Sequence, residues 1–196
     1  NTPHTNCLTL RLLHAAKGYK AVAFDIFDTL LKRDCARPAD LFALMEVTHQ
    51  EVLGFAEARV AAEAETRQTL GREVTLAEIY AHPALRGTDP AAECAAELAM
   101  IAPNRPVAQA AAACHARGQK VYAVSDMYLP KEQIEAMLQK CGLDFLDGVF
   151  VSCEYRVQKR SGKLFKLFLQ QTALRPAEVL FVGDSPRADF AGAALA

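Results

Sequence analysis

Ala21-Val22-Ala23-Phe24-Asp25-Ile26-Phe27-Asp28-Thr29-Leu30-Leu31 is the stretch on which the fold turns. Its first four residues are apolar and read as a buried strand, being too few for a buried helix. The run breaks on an aspartate, two bulky apolar residues, a second aspartate and a threonine. A carboxylate at such a break sits at the carboxyl end of a parallel strand, where open α/β sheets place their ligands. On its own the pattern also fits an aspartate in a turn or a helix cap.

Three later stretches bear on that choice. Lys120-Val121-Tyr122-Ala123-Val124 is an apolar strand ending at Ser125-Asp126. Glu178-Val179-Leu180-Phe181-Val182 is another, ending at Gly183-Asp184-Ser185-Pro186-Arg187-Ala188-Asp189. Between them Lys159-Arg160-Ser161-Gly162-Lys163-Leu164-Phe165 opens a helix. The order is strand–Asp, strand–Ser, Lys before a helix, then strand–Gly-Asp with another Asp five residues on. This ordered set resembles the haloacid dehalogenase-like (HAD) hydrolase superfamily. The four motifs span Asp25 to Asp189, nearly the whole chain, and the set is more specific than any member. The variant Phe-Asp-Ile-Phe-Asp-Thr-Leu-Leu with Ser-Asp-Met-Tyr is similar to a branch that includes parts of larger, polysaccharide-related proteins.

The rest of the chain fits an α/β enzyme domain. Residues 6–16 carry Leu8, Leu12 and Leu13 at helical spacing, with Gly18 as a stop. Residues 106–117 and 130–141 read as helices stopped by Gly118 and Gly142, residues 148–151 as a short strand, and residues 163–171 and 190 onward as further helices. Strands alternating with helices imply a parallel sheet with helices on both faces. By resemblance the core is Rossmann-like and covers residues 1–34 and 104–196.

Residues 35–103 break the alternation. Pro38-Ala39-Asp40-Leu41 starts a helix with Leu44, Met45 and Val52 on its apolar face; residues 55–70 form an alanine-rich helix ending at Gly71. Thr75-Leu76-Ala77-Glu78 is a capping box, and Asp89-Pro90 starts a helix running to about residue 101. The family places a cap between its first two motifs, so an all-helical cap is expected here. His14, His49 and His82 read as packing or surface residues.

Composition narrows the function. A net charge of −1 gives no reason to expect nucleic acid or a membrane surface, and no apolar run is long enough to span a bilayer. Six cysteines without a Cys-x-x-Cys pair argue against a metal cluster or disulfide framework, and a reducing cytoplasm is the expected setting. The chain opens on Asn1 and stops at Ala196, before the strand that the family usually adds after its fourth motif, so a fragment is expected, and the branch it resembles suggests part of a larger multidomain chain.

The resemblance assigns roles. Asp25 is the nucleophile that forms a covalent aspartyl intermediate. Asp25, Asp184 and the Phe27 carbonyl hold Mg²⁺, with Asp189 close by. Ser125 and the Asp126 backbone N–H bind a phosphoryl oxygen, and Lys159 neutralises charge. The substrate is a small phosphorylated metabolite, and the branch suggests a sugar phosphate. The departure is Phe27, which stands where HAD phosphatases carry an aspartate that protonates the leaving oxygen; a phenyl ring cannot do so. Asp28, where the family usually has glycine, is the candidate replacement.

An aromatic at position 27 also fits metal-independent 2-haloacid dehalogenases, in which a halide leaves without a proton. Arg33 could then stand in for a halide-binding arginine, but in the Lys32-Arg33-Asp34 turn it is expected to be solvated. A third reading is a degenerate module with a binding or regulatory role, against which stands the retention of all four motifs.

Overall fold

A computed structural model describes residues 6–48 and 53–185. Asp189, the helix expected from Phe190, and His49 and Val52 of the insert lie outside the described residues. Asn6 caps α1 (Cys7–Ala15) by accepting the Leu8 N–H at 2.9 Å. After it run β1 (Ala21–Phe24), β2 (Leu31–Arg33), α2 (Asp40–Thr48), α3 (Phe55–Leu70), α4 (Leu76–Tyr80), α5 (Pro90–Met100) and β3 (Ile101–Pro103). The chain continues through α6 (Arg105–Ala116), β4 (Lys120–Ser125), α7 (Lys131–Lys140), β5 (Gly148–Val151), the single-turn α8 (Ser152–Tyr155), α9 (Lys163–Thr172) and β6 (Val179–Val182).

β5, β4, β1 and β6 form one parallel sheet in that order. The chain builds outward from β1 through β4 to β5, then returns to the other edge of β1. That reversal makes a switch point, and a crevice opens there at the carboxyl ends of the strands. All four β1 side chains are buried, so both faces of this strand are covered. Val22 and Phe24 face a core with Val107, Ala111 and Cys114 of α6 and Ile134 of α7. Ala21 and Ala23 face Leu164, Phe165 and Phe168 of α9. Their small side chains leave room for rings, and Phe165 meets Phe181 edge-on at 4.3 Å between centroids.

Helix caps follow the local sequence closely. α3 ends at Gly71 in the left-handed conformation, with φ +62°, and Thr75 and Glu78 close both halves of the capping box on α4. The insert is not all helix, however. β3 pairs antiparallel with β2, Leu31 opposite Pro103 and Arg33 opposite Ile101. This ribbon closes the stem, so the chain leaves and re-enters the core side by side.

The insert also rests on the core. Leu76 N–H donates to Tyr128 O at 2.8 Å, Gln133 Nε2 donates to Cys94 O at 2.7 Å, and Arg156 pairs with Glu78. No helix among the described residues is long and apolar enough to cross a membrane.

Candidate active site

Asp25 is the first residue past β1, and its N–H donates to Val182 O at the end of β6 at 2.8 Å. Asp184 stands two residues past that end, and Ser125, buried, closes β4. Lys159 opens a 3₁₀ turn that Gly162, at φ +73°, releases into α9. Burial of Leu164 and Phe165 under the sheet holds this turn at the strand ends. There Lys159 Nζ donates to Asp25 Oδ1 at 2.7 Å, and its backbone N–H donates to Asp126 Oδ1 at 2.8 Å. The Lys159 side chain is only 4% exposed, so its charge depends on a close anion. The structure thus joins Asp25, Asp126 and Lys159 directly, with Ser125 and Asp184 on the flanking strand ends.

The loop after β1 is wound tightly. Leu31 N–H reaches back to Ile26 O at 2.8 Å, which forces a turn through Asp28 at φ +59°. That is the left-handed region, where glycine is at ease and aspartate is among the better-tolerated substitutes. The aspartate at a family glycine position is therefore a backbone matter as well as a chemical one. Asp28 is exposed and has neither hydrogen bond nor ion pair among the described residues. The buried Thr29 hydroxyl likewise has no hydrogen-bond partner among them.

Arg33 overturns an expectation. It is not solvated: its side chain is 9% exposed, forks onto Glu97 at 2.8 and 3.0 Å, and stacks 4.2 Å above the Phe27 ring. Burial disfavours its cation, but Glu97 outweighs this and raises the pKa above the ordinary arginine value. A second fork lies deeper. Arg59 is fully buried, bonds Glu93 at 2.7 and 2.8 Å, and lies between the rings of Phe42 and Tyr128 at 4.6 and 4.7 Å.

Between the loops and the insert lies a cleft of about 570 Å³. The core contributes Phe27, Asp28 and Tyr128 to it, and the insert contributes Phe42, Val60 and Arg67. Arg67 pairs with Glu63 at 3.0 Å and with Glu73. Buried Glu73 in turn accepts from Ser152 Oγ at 3.1 Å, and that hydroxyl accepts Met127 N–H at 2.9 Å in the loop after β4. Sequence reasoning missed Arg59, Arg67 and Glu73 as parts of this surround. Their partners lie on other elements, and no local pattern marks them.

Asp25 follows β1 and Asp184 follows the adjoining β6, while the Phe27 carbonyl in the loop after β1 accepts no hydrogen bond among the described residues. No group of three or more His, Cys, Asp or Glu side chains gathers as a metal cluster among those residues. A donor set of few, hard oxygens suits Mg²⁺, which keeps several waters when protein-bound.

This architecture defines a class. The model of the haloacid dehalogenase-like hydrolase family matches residues 19–196, and the chain belongs to that family of hydrolases. Among solved structures it is similar to the L-2-haloacid dehalogenase from Xanthobacter autotrophicus with chloropropionic acid covalently bound, at 21% identity and a TM-score of 0.62, over 90% of this chain and 74% of that one. It is similar to YfnB from Bacillus subtilis bound to magnesium, at 18% identity and a TM-score of 0.63, over 90% and 85%. It is also similar to a HAD phosphatase from Thermococcus onnurineus, at 21% and 0.62, over 89% and 81%. At these identities the likeness is one of fold. No curated protein matches it in sequence.

Proposed function

We propose that the chain is a Mg²⁺-dependent phosphatase or phosphotransferase acting on a small phosphorylated substrate through an aspartyl phosphate. The observation that carries this reading is the buried Lys159 Nζ, 2.7 Å from Asp25 Oδ1 and beside the strand end that bears Asp184. In this reading Asp25 attacks phosphorus, and the leaving oxygen departs with the electron pair of the broken P–O bond. Lys159 offsets the charge on the nucleophile and on the transferring group. Ser125 and the Asp126 N–H bind a phosphoryl oxygen, while the Asp126 carboxylate fixes the Lys159 backbone. Asp25, Asp184 and the Phe27 carbonyl would hold Mg²⁺, with Asp189 in support, and the bound ion masks the phosphoryl charge. Residues 35–103 act as a cap over a core of residues 1–34 and 104–196, excluding water from the crevice.

Phe27 supplies no proton to the leaving oxygen. Asp28, which lines the cleft without a partner among the described residues, is the group placed to do so. Phosphate release from acetyl phosphate, p-nitrophenyl phosphate and a metabolite panel, with and without Mg²⁺, tests the reading. Metal-independent release of halide from 2-haloacids would support dehalogenase chemistry instead. One observation favours that second reading: Arg33, buried and stacked on Phe27, lies at the cleft rather than in solvent.

A further inference from the structure

The walls of the cleft are mostly apolar. Phe27, Met127 and Tyr128 line it from the core, and Phe42, Val60 and Ala64 from the insert. Among the described residues no serine, threonine, asparagine or glutamine side chain lines it. A hexose would bring several hydroxyls and meet, among uncharged side chains, the Tyr128 phenol alone of the described lining, and unpaired polar groups are costly to desolvate.

The charges at the cleft are already engaged. Arg33 is held by both carboxylate oxygens of Glu97, and Arg67 by Glu63 and Glu73. Neither is left over to neutralise a second anionic group. Asp28 adds a carboxyl group to the lining rather than a further cation. At about 570 Å³, the space matches a body of one or two rings or a medium alkyl chain.

From these features we infer that the leaving group has an apolar body, alkyl or aromatic, without negative charge. This rests on the phosphoryl-transfer reading above and narrows its substrate class away from sugar phosphates. The apolar walls bind the body by excluding water from it. Phe27 and Tyr128 contribute aromatic surface to that wall.

The test compares primary alkyl phosphates, so the chemistry of the broken bond stays constant while the body changes. Butyl phosphate, hexyl phosphate and glucose 6-phosphate are supplied to the purified chain with Mg²⁺. Acetyl phosphate brings almost no body and so reports phosphoryl chemistry alone. Each buried methylene is worth up to about fourfold, so hexyl phosphate should exceed butyl phosphate in kcat/KM by about tenfold, and glucose 6-phosphate by at least about as much. A carboxylate on the far end of the hexyl chain should lower kcat/KM.

Val60→Glu places a charge on the exposed side of α3 and should bring the hexyl-to-butyl ratio below about threefold. The ratio is insensitive to a general loss of activity, and circular dichroism checks the fold. Turnover of acetyl phosphate with no dependence on chain length, or with glucose 6-phosphate preferred, would overturn this inference and leave the phosphoryl-transfer reading standing. A rate raised by the terminal carboxylate would overturn it equally. Failure of all the phosphates, acetyl phosphate included, would remove both.

Discussion

Phe27→Asp puts back the carboxyl group that would protonate a leaving oxygen, yet its surroundings should keep it from working. The Arg33 guanidinium carbon lies 4.2 Å from the centre of the Phe27 ring. A carboxyl group in that space would stand within ion-pair reach of a cation that Glu97 keeps charged. An opposite charge at this range holds a carboxyl group well below the ordinary carboxylate range. Such a group holds almost no proton near neutral pH. A working general acid is worth about 10²–10⁴ in rate, so the single variant should raise alkyl phosphate turnover by less than about tenfold.

Adding Arg33→Met and Glu97→Gln removes the cation and its counter-ion together, leaving no buried charge alone. Set in an Asp28→Asn background, where no other carboxyl group serves, these three changes should gain at least about a hundredfold on hexyl phosphate over Asp28→Asn alone and little on p-nitrophenyl phosphate, whose leaving group needs no proton. Phosphate release from the two substrates, with thermal melts to confirm folding, makes the comparison. A full gain from Phe27→Asp alone would show that Arg33 does not control this position. Equal improvement of both substrates by the three changes would show that the missing acid is not what limits the enzyme.

Asp184→Asn should raise the Mg²⁺ concentration for half-maximal p-nitrophenyl phosphate hydrolysis by at least about tenfold, because a hard dication prefers anionic oxygen; an unchanged titration would remove Asp184 from the metal set. Arg59→Met strands the buried Glu93 and should cost about 3–5 kcal/mol in urea unfolding, whereas Arg59→Met with Glu93→Leu should recover most of it; equal losses would contradict the ion-pair account. Arg72 above all, with the Thr75 N–H and Arg156, holds the Glu78 carboxyl down at about 2, against an ordinary 4.5. A depressed folded-state pKa stabilises above the ordinary value, so this contribution is complete above about pH 4.5 and fades towards pH 2. Glu78→Gln should flatten the loss of stability across that window, and an unchanged slope would refute it.

The parts of the fold legible in the sequence are those whose cause is local. Each sheet strand is a short apolar run ended by a turn, and the bounds of α3, residues 55–70, follow from alanine-rich periodicity and a terminal glycine. The capping box at Thr75 is likewise a matter of four adjacent residues. The ribbon is not local: Leu31-Lys32-Arg33 is too short to show a period, and its partner lies some seventy residues on. Buried charge was legible least of all. In α5 the fully buried side chains are Glu93 and Glu97, while the alanines on other faces meet solvent or lie half-covered. A helix with its glutamates four positions apart reads as having a solvated acidic face. The arginines brought by α3 and β2, with the Tyr80 hydroxyl on Glu93, turn that face inward.

Those arginines bear on what the insert does. Hydrophobic residues of similar volume in place of a buried ion pair are often as stabilising or more so. Stability alone therefore does not explain two forks on one short helix, α5. A guanidinium forked onto a carboxylate has a defined plane, and that plane sets the direction in which rings can stack on it. Here the rings belong to Phe27, two residues past Asp25, and to Tyr128, two residues past Asp126. Methionine or leucine at position 33 or 59 would fill the space but accept the rings at many angles. The glutamates of α5 thus orient the arginines, and the arginines orient the rings that flank the two loops carrying the candidate chemistry. On this argument the insert helps to set the shape of the crevice, and changes at Glu93 or Glu97 should register at Asp25 and Asp126 without touching either.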